Sequence, residues 1–265
     1  CGLSEMHLNS STGYGIDEVG RNKIEEIYAK IFNTEDALVR SQLISGTHAL
    51  AVTLFGLLRP GDIMLSISGE PYDTLQTVIG IGENPGPSSL KAFGIKYEQI
   101  DLKDKEYFDT EKIVERLAKK DVKLVEIQRS IGYSTRKSIS IEKVEEIIKN
   151  NQDVVVIVDE AYADFGKVTA LDLVNKYNNL LVVRTYSKSR AMAGMRIGYA
   201  IGNEALISAM KAVKFSYNSY TMNMPSIVAG VAAIKDDKYF KEIVGKIIKT
   251  RENAKEKLAD LGFEF

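Results

Sequence analysis

An α/β fold on a mostly parallel sheet is what this sequence predicts, on three observations. Strand-like and helix-like segments alternate along its 265 residues, the arrangement in which helices cover a parallel sheet. The most apolar segment, Val154-Val155-Val156-Ile157-Val158, is the short unbroken run that a strand buried on both faces requires. Hydrophobic residues make up 45% of the chain, enough for one sizeable core at a length near the upper end for a single domain.

The elements follow in order. Ile24, Ile27, Tyr28 and Ile31 fall at i, i+3, i+4 and i+7, one face of an amphipathic helix. A short strand follows at Ala37–Arg40. His48–Leu58 is apolar almost all round and stops at Arg59-Pro60-Gly61, so it reads as a buried helix with a breaker. Asp62–Ser68 is the next strand. Gly80–Ser89 is a loop by its Gly and Pro content, and Ile95–Leu102 is a strand. Asp109 is placed to cap a helix whose inner face carries Ile113, Val114 and Leu117. Val122–Ile127 is a strand, Ser140–Lys149 a capped helix, and Asp153–Val158 the most buried strand. Ala170–Tyr177 reads as a helix and Leu180–Arg184 as a strand. Met195–Ile201 is expected as an antiparallel strand after a tight return, and from Glu204 onward the chain is mostly helical.

Composition excludes several classes of function. The 35 basic residues nearly cancel the 36 acidic ones, so there is no nucleic-acid footprint. Apolar runs are far shorter than a membrane span. Two histidines and one cysteine are too few for a metal site. With Cys1 alone no intrachain disulfide forms, which points to a reducing compartment, the cytoplasm. No secretory pattern opens the chain. It begins on Cys1 rather than Met, which reads as a trimmed or engineered start.

The chemistry-bearing residues gather in the second half. A very apolar strand ends in Asp159, with Tyr162 three residues later; another runs into Thr185-Tyr186-Ser187-Lys188, with Arg196 eight residues beyond the lysine. Residues at the carboxyl ends of parallel strands face the crevice where ligands bind in open α/β sheets. An amine, a carboxylate, a phenol and anion donors converging there are what pyridoxal 5′-phosphate (PLP) chemistry needs. The carboxylate keeps the pyridine nitrogen protonated, the phenol donates to the ring O3′, and Ser187 and Arg196 hold the phosphate. Singly, each residue has a plainer reading: Lys188 as a solvated charge, Asp159 as a turn residue, Tyr162 as packing.

Val154–Phe165 (VVVIVDEAYADF), Leu180–Gly202 (LLVVRTYSKSRAMAGMRIGYAIG) and Lys214–Asn223 (KFSYNSYTMN) resemble histidinol-phosphate aminotransferase, from about residue 153 to the C-terminus. The resemblance implies Lys188 as the Schiff-base lysine, Asp159 on the pyridine nitrogen, Tyr162 on O3′, and Ser187 and Arg196 on phosphate. It also places Tyr217 and Asn218 near the site's mouth. Ser11–Arg21 (STGYGIDEVGR), Val39–Leu50 (VRSQLISGTHAL), Gly69–Leu75 (GEPYDTL) and Gln128–Ser138 (QRSIGYSTRKS) resemble a methionine γ-lyase-related PLP family, often labelled aluminium-resistance proteins, over residues 3–149. That resemblance implies phosphate contacts from the Ser45-Gly46-Thr47 turn at a helix N-terminus, with Gly46 and Thr47 supplying amides. Tyr72 would stack on the ring, and Tyr14 would reach a neighbouring subunit's phosphate. A plain glycine turn, and packing for Tyr72, Tyr14 and His48, remain the alternatives.

Both resemblances imply the large domain of a three-layer, fold-type I PLP-dependent transferase. Residues 1–240 would form the PLP-binding domain and 241–265 the start of a truncated C-terminal small domain. The change of resemblance near Asn150–Asp153 suggests a chimera joined in a surface loop. Departures accompany it. Gln128-Arg129-Ser130 stands where the aminotransferases carry Asn-Pro, and the later arginine that grips the substrate carboxylate is absent. Arg129 and Arg136 are placed in a loop with solvent or phosphate contacts. The expected function is amino transfer between an amino acid or amine, histidinol-phosphate-like, and a 2-oxo acid, by a homodimer. The alternatives are a PLP-dependent C–S lyase and a PLP-binding scaffold with little turnover.

Overall fold

The computed structural model describes residues 4–8, 19–40, 43, 45–105, 107–130, 138–166, 168–217 and 224–263. Its first half runs α1 (Val19–Phe32), β1 (Asp36–Arg40), α2 (Gly46–Leu57), β2 (Ile63–Ser66), α3 (Asp73–Ile79), β3 (Lys96–Gln99), α4 (Thr110–Leu117), β4 (Val122–Gln128) and α5 (Ile141–Asn150). The second half runs β5 (Val155–Asp159), β6 (Leu180–Thr185), β7 (Gly198–Gly202), α6 (Glu204–Tyr217), α7 (Met224–Lys235) and α8 (Asp237–Asp260).

Seven strands form one sheet in the order β1-β7-β6-β5-β4-β2-β3. Every neighbouring pair is parallel except those of β7, which runs antiparallel to both β1 and β6. Strand alternation sorts the core into two layers, because successive side chains point to opposite faces. Val156, Val158, Leu180 and Val182 face Tyr28 of α1, Ile113 of α4 and Val144 and Ile148 of α5. Ile157, Leu181 and Val183 face Leu50 and Leu54 of α2, Leu75 and Ile79 of α3, and Ile207 and Met210 of α6. Helices on both faces make the three-layer α/β architecture expected of the sequence.

Most elements fall where the pattern places them, with four differences. Val114 is 61% exposed, because Ile113 and Leu117, at i and i+4, already occupy the inner face of α4 and the next residue lies about 100° around. The segment from Ala170 makes only a 3₁₀ turn, Ala170–Leu173. Its N–H groups bond three residues back, Val174 to Leu171 and Lys176 to Leu173, which buries Ala170, Leu173 and Val174 in the short span before β6. Met195 belongs to a second 3₁₀ turn, Ala193–Met195, and β7 starts only at Gly198. Helix α3 went unread between Ser68 and Gly80, although Gly80 ends it in a left-handed cap at φ 87°, a glycine stop signal.

Among the contacts that join the halves of the chain, two lie at opposite ends of the sheet. Asn179, 7% exposed, donates its amide to the carbonyls of Asn151 (3.0 Å) and Val154 (2.9 Å), tying the α5–β5 loop under β6. At the other end of the sheet Gly198 N–H donates to Leu43 O at 2.7 Å. A Cβ on Gly198 would stand 2.6 Å from Ser45 O and 3.1 Å from Leu43 O, closer than a side chain tolerates. Gly198→Ala is therefore expected to push the start of α2 off β7 and to destabilise the protein by about 1–3 kcal/mol. Urea unfolding measures this; an unchanged midpoint would show that the approach is looser than described.

Candidate active site

Gln128, Asp159 and Thr185 end three adjacent strands. Asp159 shares the parity of Ile157, so it faces the α2–α3–α6 side, beside Gln128 in register. It is 6% exposed and accepts the Ala161 N–H at 2.9 Å. Burial pushes its carboxyl up to about 6; Glu160's charge adds to the rise, while the Ala161 bond and the Lys188 charge oppose it. Lys188, exposed, sits three residues beyond β6 with its Nζ 5.0 Å from the centre of the Tyr162 ring. Tyr162 is 45% exposed, consistent with a rim position and not with core packing.

Helix α2 begins over the end of β6. Ser45 caps it by accepting the His48 N–H at 3.0 Å, and a Cβ on Gly46 would lie 3.5 Å from Thr185 Cβ. Helix geometry leaves the Gly46 and Thr47 amides without intrahelical acceptors, at the positive end of the macrodipole. The Thr185 hydroxyl accepts the Ser187 N–H at 3.1 Å and donates to Ile197 O at 3.1 Å, which fixes the turn carrying Ser187 and Lys188. Across the site the Tyr72 hydroxyl donates to Thr47 Oγ1 at 2.9 Å. Burial, and then the charge of Asp159, raise the Tyr72 phenol above its ordinary range.

Asp159, Tyr162, Lys188, Ser187, Gly46, Thr47 and Tyr72 thus gather at one end of the sheet. Arg196 is exposed, in a left-handed backbone at φ 54°, and its guanidinium donates to Ala193 O at 2.7 Å. Arg129 corrects the expectation of a solvent or phosphate contact. Its side chain is 11% exposed and paired with Glu160. Glu160 also accepts Arg184 at 2.8 Å, Thr169 at 2.6 Å and the Ala170 N–H at 2.7 Å. Burial alone would raise the Glu160 carboxyl, but Arg184, Thr169 and Ala170 outweigh it and hold the group below its usual value. A cavity of about 320 Å³ beside Asp159 and Tyr162 is walled by Arg129, Glu160 and the Ser130, Ser138 and Ser140 hydroxyls. It flanks the Lys188 cluster and does not contain it. Tyr14, Arg136 and Asn218 lie outside the described residues, as does the side chain of Tyr217.

Sequence reasoning missed Thr185, Gln128 and the Glu160–Arg184 pair. The signal for the last was present: Glu160 follows Asp159 and so must turn to the opposite face, where Arg184 has the matching parity one strand over.

This fold defines a class, the α/β fold-type I of the PLP-dependent enzymes. It superposes with TM-score 0.72 on histidinol-phosphate aminotransferase from Sinorhizobium meliloti, solved in complex with pyridoxal-5′-phosphate. That match covers 91% of this chain and 62% of the other at 18% identity, a likeness of fold alone. Within the class the chain belongs to the methionine gamma-lyase family, which matches residues 2–216. A carbon-sulfur lyase involved in aluminum resistance from Clostridium novyi NT is 37% identical, with TM-score 0.71 over 82% of this chain and 52% of that one. Histidinol-phosphate aminotransferase of Brachyspira hyodysenteriae is 56% identical over 126 residues, 47% of this chain and 36% of the relative. The match therefore spans about half of the lyase and about a third of the aminotransferase. Both expected resemblances are found, and the lyase-family match continues past residue 150 to 216.

The buried Asp159 carboxyl makes a prediction about cofactor-free protein. Its folded value of about 6 exceeds the ordinary 3.8, so the folded state holds the proton more tightly. Stability is then greatest below that window and falls as pH rises through it, by about 3 kcal/mol in all. Asp159→Asn is expected to be more favourable relative to the parent at pH 8 than at pH 4 by about 2–3 kcal/mol. Urea unfolding at the two pH values checks this, and a pH-independent difference would contradict it.

Proposed function

We propose that this chain is the PLP-binding part of an enzyme that moves an amino group between an amino acid or amine and a 2-oxo acid. The observation that carries the reading is the convergence of a lysine amine, a buried carboxylate and a helix N-terminus at the ends of β5 and β6. The residues fit the cofactor. Asp159 is a carboxylate whose burial calls for a cation, which a protonated pyridine nitrogen supplies. The Gly46 and Thr47 amides with Ser187 offer donors to a phosphate, with Arg196 within the adjoining turn. Tyr72 provides a ring between Asp159 and α2.

When bound, PLP acts as the electron sink that stabilises a carbanion at the substrate's Cα. The protein's share is positioning and proton movement. Asp159 keeps the ring nitrogen charged, Tyr162 donates a hydrogen bond near the reacting amine, and Lys188 Nζ holds the cofactor and then carries the proton at Cα. Histidinol-phosphate aminotransferase relatives support this reading. The family assignment and the aluminum-resistance lyase favour a second, release of ammonia and a thiol from a sulfur amino acid. We place residues 1–240 in the cofactor-binding domain and 241–265 at the start of a second, and we take the protein to be a cytoplasmic homodimer. Because the matched stretches cover only 52% and 36% of these two relatives, we expect the chain to bind PLP better than it turns substrate over. Firm orientation of the substrate carboxylate accounts for on the order of a thousandfold or more in rate.

Borohydride reduction of the PLP-treated chain, followed by peptide mapping, is expected to place the pyridoxyl group on Lys188. An adduct elsewhere that survives Lys188→Ala would defeat the assignment. Incubation with histidinol phosphate plus 2-oxoglutarate, and separately with methionine or cystathionine, separates the two reactions. Amino transfer passes the amino group to 2-oxoglutarate, giving glutamate and the oxo product of the amine, whereas the lyase reading requires free ammonia. Fast steady turnover in either assay would contradict the expectation that binding exceeds catalysis.

A further inference from the structure

Gln128 ends β4, is 4% exposed, and stands beside Asp159 in the parallel register. Neither end of its amide is idle. Oε1 accepts the Tyr72 N–H at 2.9 Å, and Nε2 donates to Ser130 O at 3.0 Å. Its own N–H donates to Ser68 Oγ at 2.8 Å, so the backbone that carries the side chain is clamped as well. The side chain thus ties the residue that precedes α3 to the exit of β4, and the backbone of the same residue holds the loop after β2.

The Tyr72 carbonyl accepts the Leu75 N–H at 2.9 Å and the Gln76 N–H at 3.0 Å, which tie it to its own helix, so its N–H bond to Gln128 is what ties that helix start to β4. Tyr72 sits at the N-cap of α3 with φ −63° and ψ 156° and makes no side-chain cap bond. Its ring is held at the far end, where the hydroxyl donates to Thr47 Oγ1. A tyrosine pinned at both its backbone and its hydroxyl has one placement. Released at the backbone, it pivots about the Thr47 bond together with the start of α3. Glutamine suits the task because its amide is at once acceptor and donor. It is also neutral, whereas a carboxylate at this position would add charge beside a carboxyl already pushed up by burial.

We propose that Gln128 is the positioning residue for Tyr72, and that through Tyr72 it sets how firmly the cofactor is held. The second clause rests on the PLP reading above. Gln128→Met keeps length and packing while removing both hydrogen bonds, and Gln128→Glu keeps the acceptor for Tyr72 but loses the donor to Ser130.

The first measurement needs no cofactor: hydrogen exchange at the Tyr72 amide. The expected result is at least tenfold faster exchange in Gln128→Met, with protection retained in Gln128→Glu. Unchanged exchange in Gln128→Met, or equal loss in both variants, would overturn the proposal. The second is PLP affinity, followed by absorbance and by visible circular dichroism of the bound cofactor, in a double-mutant cycle with Tyr72→Ala. Gln128→Met is expected to weaken PLP about tenfold and reduce the dichroism in the parent, yet to change affinity less than twofold in Tyr72→Ala, about the effect of one buried hydrogen bond. The same factor in both backgrounds would mean general damage at the sheet end and would overturn the positioning role. Failure of the unaltered chain to bind PLP would instead overturn the functional reading, with the exchange result still deciding the role of Gln128.

Discussion

The arrangement of this protein depends on the close approach of helix α2 to the ends of β6 and β7. Gly46 meets Thr185 with room for no more than van der Waals contact, and Gly198 has no space for a Cβ against Ser45. The absence of a side chain at Gly198 therefore lets a helix N-terminus rest on strand ends from much later in the sequence. The first amides of α2 and the turn that carries Lys188 owe their proximity to this contact. The mostly apolar α2 follows from it too, because a helix lying on the sheet and under α6 has no fully exposed residue. Gly56 approaches the backbone of Ala209 and Met210 for the same reason.

The second constraint is alternation at the end of β5. Asp159 and Glu160 are neighbours in sequence, both nearly buried, yet their carboxyls are shifted in opposite directions. Among the described residues Asp159, on the α2 side, has one backbone N–H at hydrogen-bond distance and the more distant charge of Lys188. Glu160, on the other side, has Arg184, Arg129 and Thr169. Burying a charge is costly unless it is paired and hydrogen-bonded, and the Glu160 carboxylate is both, so it joins β5 to β6. Asp159 is the carboxylate left wanting a cation, and that is what qualifies it for a site.

The two family resemblances meet in this geometry instead of competing. Asn179, from the later part of the chain, closes the α5–β5 loop through carbonyls on both sides of the suggested join. Tyr72 and Thr47, from the earlier part, face Asp159 and Thr185 from the later one. The match of one family across residues 2–216 fits this continuity, since both kinds of relative build the same sheet.

The sequence by itself determined the fold class, most of the elements, and the strand ends near which Asp159, Tyr162 and Lys188 lie together. Hydrophobic run length, cap residues and breakers are local properties, and strand-end chemistry is legible once strands are located. It could not reveal that β1 pairs with β7, that Val114 faces solvent, or that Arg129 is committed to Glu160. Nor did it disclose the tie from Gln128 to Tyr72, which joins residues 56 positions apart. Only the tertiary structure decided these, because a hydrogen bond or an ion pair between distant segments depends on register, strand order and the direction of each side chain. None of those is encoded in the residues on either side of a position.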